Sequence, residues 1–92
     1  MPEVSLERRF HGTIVLVTLH LRRVAHSNDM EAGFAAAREL RMIAPEHEQF
    51  IRDCFALDAQ MQAGEQPDVP ITLEMVDELQ ACALRLNSAD PA

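Results

Sequence analysis

Apolar residues recur along the first third of the chain at Leu6, Phe10, Ile14, Val17, Leu21 and Val24, at spacings of four, four, three, four and three. That period draws one stripe along an α-helix. The run Thr13-Ile14-Val15-Leu16-Val17-Thr18 has the β-branched character of a strand, and Gly12 weakens a helix. A lone strand, however, would leave its backbone groups unpaired, because the remaining sequence offers no second strand. With Ser5 in position to cap, the pattern predicts a helix over 6–26.

Helix punctuation continues through the chain. Asp29 precedes Met30-Glu31-Ala32 as an N-cap with an acid in the first turn, and the Ala-rich stretch that follows extends a second helix over 30–43. Pro45 suits a first helical position, Glu46 and Glu48 complement the amino-terminal dipole, and Gly64 stands where a C-terminal cap belongs. These bound a third helix over 45–62. Thr72 caps a fourth over 73–86, with Ile71 and Val76 spaced for a hydrophobic staple. Pro67 and Pro70 stiffen the connector between the last two helices, and the tail from Ser88 to Ala92 reads as frayed. The expected fold is a small all-α domain of four helices over residues 1–92, led by a long apolar helix and paired as a dimer.

The dimer follows from the far side of the first helix. At roughly 100° per residue, Gly12, Val15, Leu16 and Leu19 gather opposite the stripe, with Arg8 and Arg9 at one end and Arg22 and Arg23 at the other. A helix apolar on two faces needs cover on both. Either the other three helices surround it, or a partner does. The apolar centre with an arginine rim has the anatomy of an interface, so these eight residues form the candidate contact surface. Phe55, at the edge of the third helix's stripe, is a further candidate, as outer core or partner contact.

Composition bounds the size of what can be built. With 92 residues, 48% of them apolar, the chain makes one domain at most, and a domain this small gains considerably from burying surface against a second copy or a partner. Its cations are all arginine, eight against 15 acids, for a net charge of −7. Residues 1–26 carry four Arg and two Glu (+2), and residues 27–92 carry four Arg and 13 acids (−9). An acidic body is repelled by phosphate backbones, which argues against nucleic acid and anionic membranes, whereas a basic first helix suits an acidic protein surface.

Catalytic patterns fail one by one. His47-Glu48 opens like HExxH, but Ile51 stands where the second histidine belongs. His20 and His26 are six residues apart and diverge on a helix; His47 and Cys54 lie about 10 Å apart along theirs, too far to share one zinc. Cys54 sits in the stripe Phe50, Cys54, Leu57, Met61, and Cys82 neighbours Leu79 and Leu86, so both thiols read as core. Asp77-Glu78 and Glu46/Glu48 diverge as solvated acids, and isolated glycines make no phosphate loop. No cofactor, metal or catalytic residue is expected. A helix-turn-helix reading of helices 2 and 3 is opposed by the Glu46-His47-Glu48 start of the would-be recognition helix.

The expected function is therefore non-enzymatic: a small regulatory protein, bacterial and cytoplasmic, that binds a partner protein and sequesters or inhibits it, or serves as an adaptor. In size and build the chain is similar to bacterial antiactivators that disable quorum-sensing transcription regulators, an analogy in which no motif aligns. The competing readings are a small enzyme or subunit using a Cys/His site, and nucleic-acid binding through the basic first helix.

Overall fold

A computed structural model describes residues 5–88 and shows four helices with no strand among them: α1 (Leu6–Ala25), α2 (Met30–Glu39), α3 (Pro45–Gln62) and α4 (Leu73–Ser88). Residues 89–92 of the tail lie outside the described residues. Each predicted cap is made. Ser5 Oγ accepts from the Arg8 N–H at 3.2 Å, Asp29 Oδ1 from Glu31 at 3.2 Å, and Thr72 Oγ1 from Met75 at 3.2 Å. These bonds satisfy amide donors that the first turn of a helix leaves orphaned.

The ends of the helices depart from expectation where the chain turns left-handed without glycine. α2 stops at Glu39, not at 43, because Arg41 adopts φ 56° and the Met42 N–H returns to the Ala37 carbonyl at 3.0 Å. This closure takes Met42 and Ile43 off the helix axis and buries both in the core. α1 closes in the same way one residue before its expected end: His26 takes φ 52° and the Ser27 N–H reaches the Arg22 carbonyl. Gly64, at φ 83°, ends α3 as its residue type foretold. α4 runs two residues beyond 86, through Ser88.

α3 begins with Pro45 at its first position, and its cap residue Ala44 has no side-chain acceptor. His47 substitutes from within the first turn, its Nδ1 accepting the Ala44 N–H at 3.1 Å. This is the reach-back half of a capping box, supplied by an imidazole.

One cluster of buried side chains joins all four helices, with Phe10 and Leu21 of α1, Phe34 of α2, Ile51 of α3, and Leu79 and Leu86 of α4 at its centre. The predicted stripe of α1 is the buried one: Phe10, Ile14, Val17 and Leu21 are buried, with Leu6 and Val24 packed at its ends. Burying each such side chain is worth about 1.5–3 kcal/mol. α1 packs most extensively on α4 and α2. Leu16 and His20 of α1 share a groove with Gln80 and Leu84 of α4, and Arg23 meets Asn87, so the two helices run in the same direction. α3 opposes them: His11, early in α1, meets Asp58, late in α3, and His47 at the start of α3 meets Arg85 near the end of α4.

α2 approaches α1 at backbone distance. A Cβ on Gly33 would stand 2.9 Å from Leu21 Cβ and 3.0 Å from the Leu21 carbonyl oxygen, neither of which can swing away. Helix propensity alone favours Ala over Gly by about 1 kcal/mol. At Gly33 overpacking reverses the sign, and Gly33→Ala is expected to destabilise by about 1–3 kcal/mol. At Gly12, where nothing lies within 4 Å, propensity stands alone and Gly12→Ala is expected to stabilise by about 0.5–1 kcal/mol. Urea denaturation of the two variants checks the pair; a stabilised Gly33→Ala would show that the helices do not meet here.

Candidate functional site

The second apolar face of α1 points outward. Val15 and Leu16 are each 44% exposed and Leu19 is 54% exposed, with Gly12 exposed beside them. The helices that cover the buried stripe leave this face exposed, so among the described residues α1 is covered on one side only. Arg8, Arg9, Arg22 and Arg23 are exposed at its two ends. Arg23 is directed by α4, its Nη2 donating to Asn87 Oδ1 at 3.2 Å.

The face continues onto α4 through a feature that the sequence reading missed. Leu16 and His20 line an open groove of about 480 Å³ together with Gln80, Ala83, Leu84 and Asn87. Leu84 is 66% exposed, the most exposed large apolar residue described. Its signal lay in the α4 period, where Val76, Leu79, Cys82, Ala83 and Leu86 are buried while Leu84 falls on the side of Asp77 and Gln80. An apolar residue there serves no core. Partial burial, followed by the nearby Arg23 charge, pushes the His20 imidazole below its usual range and favours the neutral ring in the groove.

Phe55 stands apart from this surface. It is half-buried and packed against the core, with its ring 6.0 Å from Phe34 at 54°. Arg52 covers the Phe34 ring, its guanidinium carbon 4.3 Å from the centroid. The same guanidinium donates twice to Glu31, at 2.7 and 2.8 Å, and once to Glu48 at 3.0 Å, tying α2 to α3. These bonds hold the Glu31 carboxyl below its ordinary range and raise Arg52 further. Arg38 Nε lies 2.9 Å from Glu48 Oε1 as an ion pair whose geometry is too oblique for a hydrogen bond. Sequence reading took Glu48 as a dipole complement and solvated acid; Arg52 is its i,i+4 neighbour on α3, whereas Arg38 comes from α2 and carries no local signal.

A second long-range pair also escaped the sequence. His11 Nδ1 lies 2.9 and 3.1 Å from the two oxygens of the buried Asp58, an imidazole donating to a carboxylate across 47 positions. Gln62 Nε2 is 3.3 Å from the same Nδ1, which cannot accept while it donates to Asp58. The pair joins α1 to α3.

The histidines weighed for chemistry are held apart. His26 ends α1, His20 lies in the α1/α4 groove, and His47 caps α3. Among the described residues no group of three His, Cys, Asp or Glu side chains gathers as a metal site, and no helix is long and apolar enough to cross a membrane. Cys54 and Cys82 are free and buried. Desolvation pushes the Cys54 thiol up to about 12, helped by Cys82 and Asp53, and raises Cys82 as well, with Glu78 adding to it. Neither thiol is disposed to form a nucleophilic thiolate at neutral pH.

No family model, curated protein or solved structure matches the chain.

The two cysteines are expected to resist a disulfide reagent such as DTNB in the native protein at pH 7 and to react at once in denaturant. Stoichiometric labelling of either within the mixing time, with the helical signal intact, would return a thiol to consideration as a working group.

Proposed function

We propose that the protein acts by contact, without catalysis, binding an acidic amphipathic segment of another protein and thereby sequestering or inhibiting it. The observation that carries this reading is the outward apolar face of α1, with Val15, Leu16 and Leu19 half exposed in a folded chain and Leu84 extending it across the groove. The arginines give the occupant its sign. Arg8 and Arg9 at one end and Arg22 and Arg23 at the other favour carboxylates facing them, while the dry centre takes apolar side chains. A helix with leucines on one face and acids along its flanks fits both demands.

A second copy is the alternative occupant, favoured by the acidic body of the chain. A two-fold seam of α1 on α1 would set arginines against arginines. Each α1 would instead lie on the partner's α4, where Leu73 and Leu84 are exposed and Glu74, Asp77 and Glu78 supply opposite charge. The basic face is no reason to invoke nucleic acid, since it belongs to a body of strongly negative charge.

Leu16→Glu with Leu19→Glu tests the surface. Both side chains are exposed, so the double variant is expected to keep its helical circular dichroism and its melting temperature within a few degrees. It is expected to lose at least tenfold in affinity for a synthetic acidic amphipathic helix, or for the second copy in sedimentation at tens of micromolar; each carboxylate buried unpaired costs several kcal/mol. Arg22→Glu with Arg23→Glu is expected to slow association and reverse its salt dependence. A double leucine variant that binds and self-associates like the wild type removes α1 from the function.

A further inference from the structure

The open groove between α1 and α4 holds one imidazole. Of the four histidines only His20 lines it, beside Leu16 of its own helix and Gln80, Ala83, Leu84 and Asn87 of α4. The other three are placed elsewhere: His11 donates to Asp58, His47 caps α3, and His26 turns the chain at the end of α1. Histidine is the side chain whose charge ordinarily changes between about pH 5 and 8. Among the described residues His20 is the one titratable group in the groove's lining, so its charge decides what the groove accepts.

The surroundings of the ring favour its neutral form. Arg23 meets Asn87, and counting back one turn along the two parallel helices sets His20 level with Leu84. From its own helix the ring therefore faces Arg23, a like charge that Asn87 holds in place. From α4 it faces amides and apolar groups. Asp77, the acid on this side of α4, falls about two turns nearer the start of the helix, about 10 Å along the axis. Arg85 follows Leu84 in the chain but is turned to His47 of α3, and no residue of α2 or α3 lines the groove. Among the described residues the ring has no hydrogen-bond partner that would hold a second proton on it. Partial burial first, and the Arg23 charge second, keep the imidazole below its ordinary range.

An occupant that lays apolar side chains across Leu16, Leu19 and Leu84 removes the remaining water from this ring. An imidazolium left dry beside an arginine is costly, whereas the neutral ring packs as a flat, weakly polar surface. Carboxylates of the occupant are taken up by the arginines at the ends of the face, whose charge is permanent, and the seat against the ring is left to an apolar group. We infer that protonation of His20 gates this surface: the acidic amphipathic segment seats an uncharged side chain on the neutral ring, binds at neutral pH and is released by mild acidification. Such gating rests on the contact proposed for the α1 face and adds the condition under which that contact is made. Because binding requires the unprotonated ring, affinity is complete above the midpoint of the free imidazole and falls below it, by at most about tenfold per pH unit for one proton. That window lies below 6.5, the ordinary histidine midpoint.

The full chain is titrated with a synthetic helix bearing leucines on one face and glutamates on its flanks, at about pH 7.5 and about pH 5.5, in the wild type and in His20→Gln, whose side chain stays neutral throughout. The glutamates of the peptide and the other three histidines titrate alike in both proteins, so the ratio of the two affinities isolates position 20. Wild-type affinity relative to His20→Gln is expected to fall by about twofold or more on acidification. A second readout needs no variant: the His20 ring resonances are followed against pH in the free wild type and with saturating peptide, which is expected to lower their midpoint, as reciprocity between proton and peptide binding requires. A ratio that holds or rises on acidification, or a midpoint that the peptide leaves in place or raises, overturns the gating and leaves the contact standing. Absence of binding at about pH 7.5 overturns the contact itself, and the gating with it.

Discussion

The close approach of α2 to α1 at Gly33 sets the rest of the arrangement. With hydrogen in place of a side chain, the backbone of α2 settles onto Leu21, and the next residue, Phe34, enters the core. Phe34 in turn gives Arg52 a ring to lie on, and from there Arg52 holds Glu31 and Glu48, which fixes α3 against α2. A bulkier residue at position 33 would displace the platform and the ionic cluster together. Because interiors are close-packed, a shift of a few tenths of an ångström at such a crossing propagates to every neighbour.

That arrangement divides the labour of α1. One side supplies the longest continuous part of the core, and the other supplies none of it. Three helices suffice to cover a stripe, and with α4 and α2 on the stripe side the remaining apolar positions stay at the surface. Leucines at such positions do not stabilise the isolated fold, so their presence calls for an explanation outside it. The use of arginine and no lysine suits the proposed contact with an acidic segment, because its planar fork binds carboxylate in two-point geometry and loses less to dehydration than an ammonium.

Most of the architecture was legible because it is local. Ser5, Asp29, Thr72, Pro45 and Gly64 each act within one turn of their own position, and the α1 stripe repeats with the helical period through a run whose residue types suit a strand. Periodicity outweighed propensity there because burying Phe10, Ile14, Val17 and Leu21 together is worth more than the few tenths of a kcal/mol that separate helix and strand preferences. What failed was local in appearance only. Arg41 and His26 end helices in a backbone region that neither residue type announces, so the sequence pattern carries α2 on to 43, whereas the turn at Arg41 ends it and buries Met42 and Ile43. The α1 face was readable from one helix. The groove beside it, the Arg52 cluster and the His11 and Asp58 pair join residues from different helices, and no spacing in a single sequence records which helices become neighbours.

The parallel course of α1 and α4 has a consequence for the order in which the molecule can assemble. The first of the four helices makes its most extensive contact with the fourth, and that contact closes a loop spanning most of the described residues. During synthesis, at about 5–20 residues per second, α1 therefore waits for several seconds with α2 and α3 to pack against but not α4. Closing α4 onto it is the long-range step, and the one whose entropy cost is met only when the core side chains of both helices meet. Throughout that interval α1 is apolar on two sides, and the four arginines at its ends are the nearest thing it has to a guard against joining the wrong neighbour.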